Sequence, residues 1–304
     1  MIKKLRSVPL LKKFYRRIRE WSGKHMLGMT TATEQRYLLE YSRRRFTGAG
    51  HIVDLGCWLG STTIPLAKGL RANTAIACGR KIFAYDLFIW FDWMNETIEG
   101  TDLDGRFSEG DSFVAELRKR IAGNEDIVIV REEDLTTTDW SDGPIEFLLV
   151  DAMKSLELTN AIARSFFPSL LEGDGLLFHQ DFAHFHTPWI HVLQWQLRDW
   201  FAFEAEVPGS TSVVFRCTKA MSPQDIPDLQ FSSVTMRELD AAFDHSFNLV
   251  SSDKHPNIAA AKIMWFAHQE NYNRARDELD RMTRSGIPVI DDLASVSAII
   301  SERT

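Results

Sequence analysis

The run His51-Ile52-Val53-Asp54-Leu55-Gly56-Cys57-Trp58-Leu59-Gly60-Ser61-Thr62-Thr63 joins a short apolar stretch to an acid, two glycines four residues apart, and three hydroxyl residues. Ile52 and Val53 suit a buried parallel strand. Gly56 and Gly60 let the backbone turn sharply and approach a ligand with no Cβ in the way. Ser61 is the expected N-cap of the helix that follows. In an open α/β sheet, ligands bind where a strand gives way to a helix, at the carboxyl end. A dinucleotide fold wants G-x-G-x-x-G with an acid about 20 residues on. Here the acid comes first, and the pattern is Asp-x-Gly-x-x-x-Gly.

Working outward, the flanking sequence alternates strands with helices. Lys81-Ile82-Phe83-Ala84-Tyr85-Asp86 reads as a second strand ending in an acid. A carboxylate there is placed to accept hydrogen bonds from ribose hydroxyls, the bland alternative being a loop or capping acid. The third strand is Asp126–Val130, followed by Arg131-Glu132-Glu133-Asp134. The fourth is Ile145–Asp151, whose apolar run suits burial on both faces. The fifth, Leu176–Asp181, follows a Gly173-Asp174-Gly175 turn. Beyond Pro188 an aromatic helix is expected to about Trp200. Phe203–Val207, a Pro208-Gly209-Ser210-Thr211 turn and Ser212–Cys217 make a hairpin signal.

One segment breaks the rhythm. Leu87 to Phe107 carries Phe88, Trp90, Phe91 and Trp93 before a polar Gly/Asp-rich stretch. It reads equally as a substrate lid or as extra core packing. After Met221-Ser222-Pro223 the composition turns helical, with helices expected at about 234–248, 257–270 and 272–285. Ala259, Ala260, Lys262, Ile263 and Phe266 face Tyr272, Ala275 and Leu279 as an antiparallel pair. These helices would cover the sheet or form a homodimer contact.

At 304 residues, with 44% hydrophobic and 25% charged residues, the chain has room for one α/β domain and an appendage. The expected division is 1–47, 48–218 and 219–304. A net charge of -7 argues against a general nucleic-acid-binding surface. The first 24 residues run the other way, with Lys3, Lys4, Arg6, Lys12, Lys13, Arg16, Arg17, Arg19 and Lys24 against Glu20. Leu5, Val8, Leu11, Tyr15 and Ile18 recur at helical steps, giving a basic amphipathic helix. It would rest on an anionic membrane or acidic partner, or dock with its basic face in solvent. Cys57, Cys78 and Cys217 show neither pairing nor metal spacing, and predict reduced thiols in a cytoplasmic protein.

The Asp-x-Gly-x-x-x-Gly run resembles motif I of class I S-adenosylmethionine-dependent methyltransferases, and the strand plan over roughly 48–218 is similar to theirs. The resemblance implies a Rossmann-like α/β sheet of about seven strands with a terminal antiparallel hairpin, flanked by N- and C-terminal helices. It implies S-adenosylmethionine as cofactor. Asp54, Gly56, Cys57, Trp58, Gly60, Ser61 and Thr62 would line the methionine part, and Asp86 with Leu87 the ribose. Asp134 would lie near the adenine, unless that acidic stretch is only a solvated turn, and Asp151 would close the cofactor edge.

Asp151-x-x-Lys154 resembles the catechol and caffeoyl-CoA O-methyltransferases, in which the aspartate binds a divalent metal and the lysine acts as base. The strand-five pair in that family is Asp-Asn; here it is Gln180-Asp181, in reversed order. Macrocin-type sugar O-methyltransferases, which this region also resembles, have two acids there. The metal set implied is Asp151, Gln180 and Asp181 around Mg2+. The runs Asp151–Ser155 and His179–Phe182 also look like a little-characterised bacterial methyltransferase group.

The catalytic expectations are Lys154, Asp151 and His179. One of His179, His184, His186 and His191 would serve as base, or all are hydrogen-bonded structural residues. Zinc is disfavoured, since no cysteine joins them. The leading expectation is O-methylation of a sugar hydroxyl or another small-molecule hydroxyl. A nucleic-acid or amino-group acceptor would call for Asn/Asp-Pro-Pro-aromatic where this chain has Asp-Ala-Met-Lys. The competing class is a non-catalytic binding or scaffold protein that keeps the fold.

Overall fold

The computed structural model describes residues 27–75 and 79–303. The basic helix expected over 1–24 and Cys78 lie outside them. The strands are β1 (His51–Leu55), β2 (Ile82–Asp86), β3 (Val128–Glu132), β4 (Ile145–Val150), β5 (Leu176–His179), β6 (Phe201–Glu206) and β7 (Val213–Cys217). They form one seven-stranded sheet in the order β3-β2-β1-β4-β5-β7-β6. β1, β2 and β3 pair in parallel. β7 runs antiparallel to both β5 and β6, as the hairpin signal predicts. The helices are α1 (Ala32–Arg44), α2 (Thr63–Ala72), the short α3 (Asn95–Ile98), α4 (Val114–Arg120), α5 (Leu156–Phe166), α6 (Trp189–Gln196), α7 (Met236–Leu249), α8 (His255–Ala267), α9 (Tyr272–Arg284) and α10 (Asp291–Ser301).

Compactness divides the chain differently from the sequence boundaries. One unit takes residues up to 135 with 143–149 and 207–210; the other takes 136–142, 150–206 and 211 onward. In the first, α1 begins with a capping box: Thr31 Oγ1 accepts from the Glu34 N–H, and Glu34 Oε2 accepts from the Thr31 N–H. Tyr41 of α1 stacks on Phe147 of β4, with ring centroids 4.3 Å apart. Glu146 is the one acid in the apolar run of β4, and it is buried. Its carboxylate accepts from the N–H of Thr47 at 2.6 Å and of Gly50 at 3.3 Å, closing the turn that feeds β1. A buried acid persists here because it satisfies two backbone donors.

In the aromatic segment after β2, Phe88 and Trp90 are core, while Phe91 and Trp93 are half-buried. Phe88, Trp90, Ile98, Leu103 and Phe113 are fully buried. Trp90 stacks on Phe107 at 4.6 Å and meets Phe113 edge-on. Its indole N–H donates to Asn95 Oδ1 at 2.9 Å, the partner a buried tryptophan needs.

In the second unit α8 is buried over nearly its whole length, so it is the centre of the C-terminal helices rather than one half of a pair. Lys262 stays there, nearly inaccessible, by pairing with Glu278 and Asp240. α10, which sequence periodicity did not single out, packs Leu293, Val296, Ile299 and Ile300 inward. No described helix is long and apolar enough to cross a membrane.

Glu146→Ala strands the buried Gly50 N–H, worth roughly 1–3 kcal/mol, and also loses the bond from the exposed Thr47. The expected outcome is a urea midpoint well below wild type with an unchanged slope; an unchanged midpoint contradicts the role given to Glu146.

Candidate active site: a glycine turn and an acid–lysine cluster

β1 delivers Asp54, wholly buried, at the foot of the glycine turn. Its Oδ2 accepts from both Thr62 Oγ1 (2.8 Å) and Thr63 Oγ1 (2.6 Å). These hydroxyls are therefore spent on the acid. Ser61 is not the N-cap: that position falls to Thr62, which makes no side-chain cap bond. The helix start is held from below by Asp54 instead. Gly56 and Gly60 have φ of +87° and +86°, where an L side chain is strained. Trp58, between them, sits at φ +42° despite its side chain. Such strain persists only where the surroundings impose it. Two contacts do: the Trp58 N–H donates to Asp86 Oδ2 at 2.9 Å, and the Trp58 ring lies 6.1 Å from Trp90.

Asp86, at the end of β2, also accepts from the Phe88 N–H through Oδ1 at 3.0 Å. Burial raises its pKa, and the N–H groups of Phe88, Trp58 and Leu87 work against that rise. A carboxylate has about four acceptor positions, so both oxygens keep capacity for a ligand hydroxyl. Leu87 and Ile89 beside it are exposed apolar side chains. Cys57 is a buried thiol whose pKa is driven far up by burial and by the nearby Asp86 and Asp54, so it stays neutral. Asp134 is exposed in the loop after β3. Before α1, the chain crosses the far side of the turn. A Cβ on Gly28 would fall 2.2 Å from Ser61 Cβ, and Thr30 Oγ1 donates to the Ser61 carbonyl at 3.5 Å.

Two features fit a bound nucleoside with a charged amino-acid tail. Asp54 Oδ1 is buried with no partner, an acceptor held in reserve. The turn also places backbone without Cβ atoms at both glycines. Asp54, Gly56, Cys57, Trp58, Gly60, Ser61, Thr62, Asp86 and Leu87 thus share one neighbourhood.

The second cluster belongs to the loops after β4 and β5. The 151–154 loop is short and pinned. Ser155 caps α5 by accepting from the Leu158 N–H, and the Trp189 indole N–H donates to the Met153 carbonyl at 2.8 Å. Lys154 is thereby aimed back at the strand ends. Its ammonium donates to Asp151 Oδ1 at 2.6 Å and also to Asp181 Oδ2. Gln180, with its amide set by its surroundings, donates to Asp181 Oδ1 at 2.7 Å and Asp151 Oδ1 at 3.2 Å. Burial opposes the Lys154 charge, but Asp151 and Asp181 outweigh it and hold its pKa above the usual lysine range. For Asp181 burial pushes up, yet Lys154 and His184 bring its pKa below the ordinary carboxylate value.

Three expectations change here. Lys154 is an ammonium clamped between two carboxylates, not a base waiting for a proton. The set Asp151, Gln180 and Asp181 does not fit a divalent ion in this arrangement, because the Lys154 ammonium already bridges the two carboxylates. Among the described residues no group of three or more acidic, histidine or cysteine side chains is gathered to hold a metal. His179 is fully buried among the rings of Phe167, Phe182 and Phe215, with Nε2 at 2.8 Å from the Gln194 amide. Burial lowers its pKa to about 3, a neutral imidazole with no path to a substrate.

Burial separates the four histidines that sequence alone left together. His191 is also fully buried, 2.9 Å from Ser246 Oγ. His184 and His186 keep partial access. His184 acts electrostatically on both Asp181 and Asp292. Asp292 comes from α10, so no reading of strand-end motifs could have found it.

The Asp54 pKa rises from the ordinary aspartate range to about 6, chiefly through burial, partly offset by the Thr63 and Thr62 hydroxyls and raised further by Asp86. An acid whose folded pKa is raised favours the fold below its unfolded pKa, and that contribution is lost as pH climbs through the folded value. From about pH 4.5 to about pH 7, wild type should lose roughly 2–3 kcal/mol more stability than Asp54→Asn. Urea denaturation of both at the two pH values checks this, and equal losses count against it.

No protein-family model matches the chain, and no curated protein matches it. Among solved structures it is similar to the O-methyltransferase NovP, with 16% identity and a TM-score of 0.50 over 69% of this chain and 97% of that one. It is also similar to CalS11, a TDP-rhamnose 3'-O-methyltransferase of calicheamicin biosynthesis, with 15% identity and a TM-score of 0.48 over 69% of this chain and 95% of that one. At such identities the likeness speaks to fold alone. Parallel β1–β3, an antiparallel β7 inserted between β5 and β6, and the match to NovP together give one conclusion: the chain has the class I S-adenosylmethionine-dependent methyltransferase fold.

Proposed function

We propose that the protein transfers a methyl group from S-adenosylmethionine to a hydroxyl of a sugar or a similar small molecule. One observation carries the cofactor half. Asp86 is fixed at the end of β2 by the Trp58 and Phe88 N–H groups, beside a glycine turn and with acceptor capacity unspent. That is what ribose hydroxyls need. In this reading Asp54 and the 56–62 turn take the methionine part, Leu87 covers the ribose edge, and Asp134 accepts from the adenine amino group. The small-hydroxyl acceptor is supported by the Asp151–Lys154–Asp181 cluster, a polar site of the kind that holds alcohols. NovP and CalS11, to which the fold is similar, are O-methyltransferases. Cytoplasmic residence belongs to the same reading, since Cys57 and Cys217 are buried free thiols.

S-adenosylmethionine supplies a methyl carbon on a positively charged sulfur. The protein's task is to align a hydroxyl oxygen with that carbon and to receive the proton. When bound, S-adenosylmethionine would give up the methyl and keep the C–S electron pair, and the acceptor hydroxyl would lose its proton to a residue of this chain. Lys154 orients the acceptor oxygen, and Asp151 holds Lys154 in place. His184, partly accessible and three residues past Asp181, takes the proton.

Calorimetry with S-adenosylhomocysteine should show binding to wild type, weakened about 10- to 100-fold in Asp86→Ala. No heat at millimolar ligand would leave the scaffold reading instead. With an acceptor in hand, His184→Ala should lower kcat about 100-fold or more while leaving S-adenosylhomocysteine affinity unchanged; an unchanged kcat removes His184 from the mechanism.

A further inference from the structure

The Asp151–Asp181 pair raises a question the transferase reading does not answer: what neutralises two carboxylates brought together at the strand ends. Their side chains are only 13% and 10% exposed. Two acids held this close in a mostly buried setting repel and need a cation between them. A divalent ion is one solution, and it demands oxygen ligands in a near-octahedral shell.

We infer that Lys154 is that cation: its ammonium stands in the position a divalent ion would take, and the site works without metal. Three observations support this. Lys154 Nζ bonds both acids at once, through Asp151 Oδ1 and Asp181 Oδ2. The Gln180 amide lies against the same acids, 2.7 Å from Asp181 Oδ1 and 3.2 Å from Asp151 Oδ1, and beside an ammonium-bridged pair its nitrogen is the end that satisfies both acceptors. Three carboxylate oxygen positions are thereby committed to hydrogen atoms, and neither an ammonium nor an amide nitrogen ligates a hard cation. Finally, the loop that carries Lys154 is held at both ends, by the Ser155 cap and by Trp189 on the Met153 carbonyl, so the ammonium is built into the fold.

The lysine is also suited to meet a substrate. An ammonium has three donors, and two are taken. The side chain is 44% exposed, so the residue can be reached from outside the cluster. In a transferase it would hold the acceptor oxygen and stabilise the negative charge that develops as the proton leaves. That catalytic half rests on the function proposed above; the replacement of a metal does not.

The test is therefore metal binding, read by electron paramagnetic resonance of Mn2+ and by calorimetry with Mg2+ on the full chain. Wild type should bind neither at millimolar ion. Lys154→Ala, and Lys154→Met as a variant that keeps most of the apolar stem, should each gain a single Mn2+ site at least about tenfold tighter than anything in wild type. Asp181→Asn in the Lys154→Ala background should remove that site. Specific Mn2+ binding by wild type that Asp181→Asn abolishes overturns the inference. So does a folded Lys154 variant, shown by circular dichroism, that gains no Mn2+ site. S-adenosylhomocysteine binding measured on the same samples reports separately on the transferase reading.

Discussion

Asp54 is where the structure commits itself. A carboxylate buried at the end of a central strand is costly unless donors reach it, and here the donors are the first two hydroxyls of the next helix. That clasp fixes where α2 begins, and hence the length and path of the turn between Gly56 and Gly60. The turn in turn presents the Trp58 N–H to Asp86, so the ends of β1 and β2 are linked through backbone rather than through a side-chain pair. Removing the clasp would free the helix start as well as a hydrogen bond.

Much of this was legible because it is local. The alternation of strands and helices follows from apolar runs and glycine turns, and the acids at the ends of β1, β2 and β4 stand where short-range pattern puts them. The residues of the glycine turn lie together for that reason. What stayed hidden depends on contacts between distant segments. Ser61 looked like a cap because cap preference is read from the residue type, while Thr62 and Thr63 are drawn to an acid eight and nine positions back. His179 looked available because its strand ends in polar residues, yet Phe167, Phe182 and Phe215 enclose it from other elements.

Lys154 is the sharpest case. Its spacing from Asp151 was plain, but its charge partner across the strand gap was not, and that partner decides whether the nitrogen accepts a proton or keeps one. The aromatic segment after β2 was undecided between lid and core, and burial assigns Phe88 and Trp90 to the core while Phe91 and Trp93 stay half-buried. Phe88 and Trp90 are interior side chains that support the glycine turn through Trp58, while Leu87 and Ile89, on the alternate positions, face outward.

Gly28 and Thr30 cross over Ser61. Ser61 is thereby covered by backbone that belongs to no strand or helix of the sheet, so the outer wall of the glycine corner is set by a segment more than thirty residues back. Removing residues 28–30 would uncover Ser61 while leaving β1 and α2 intact.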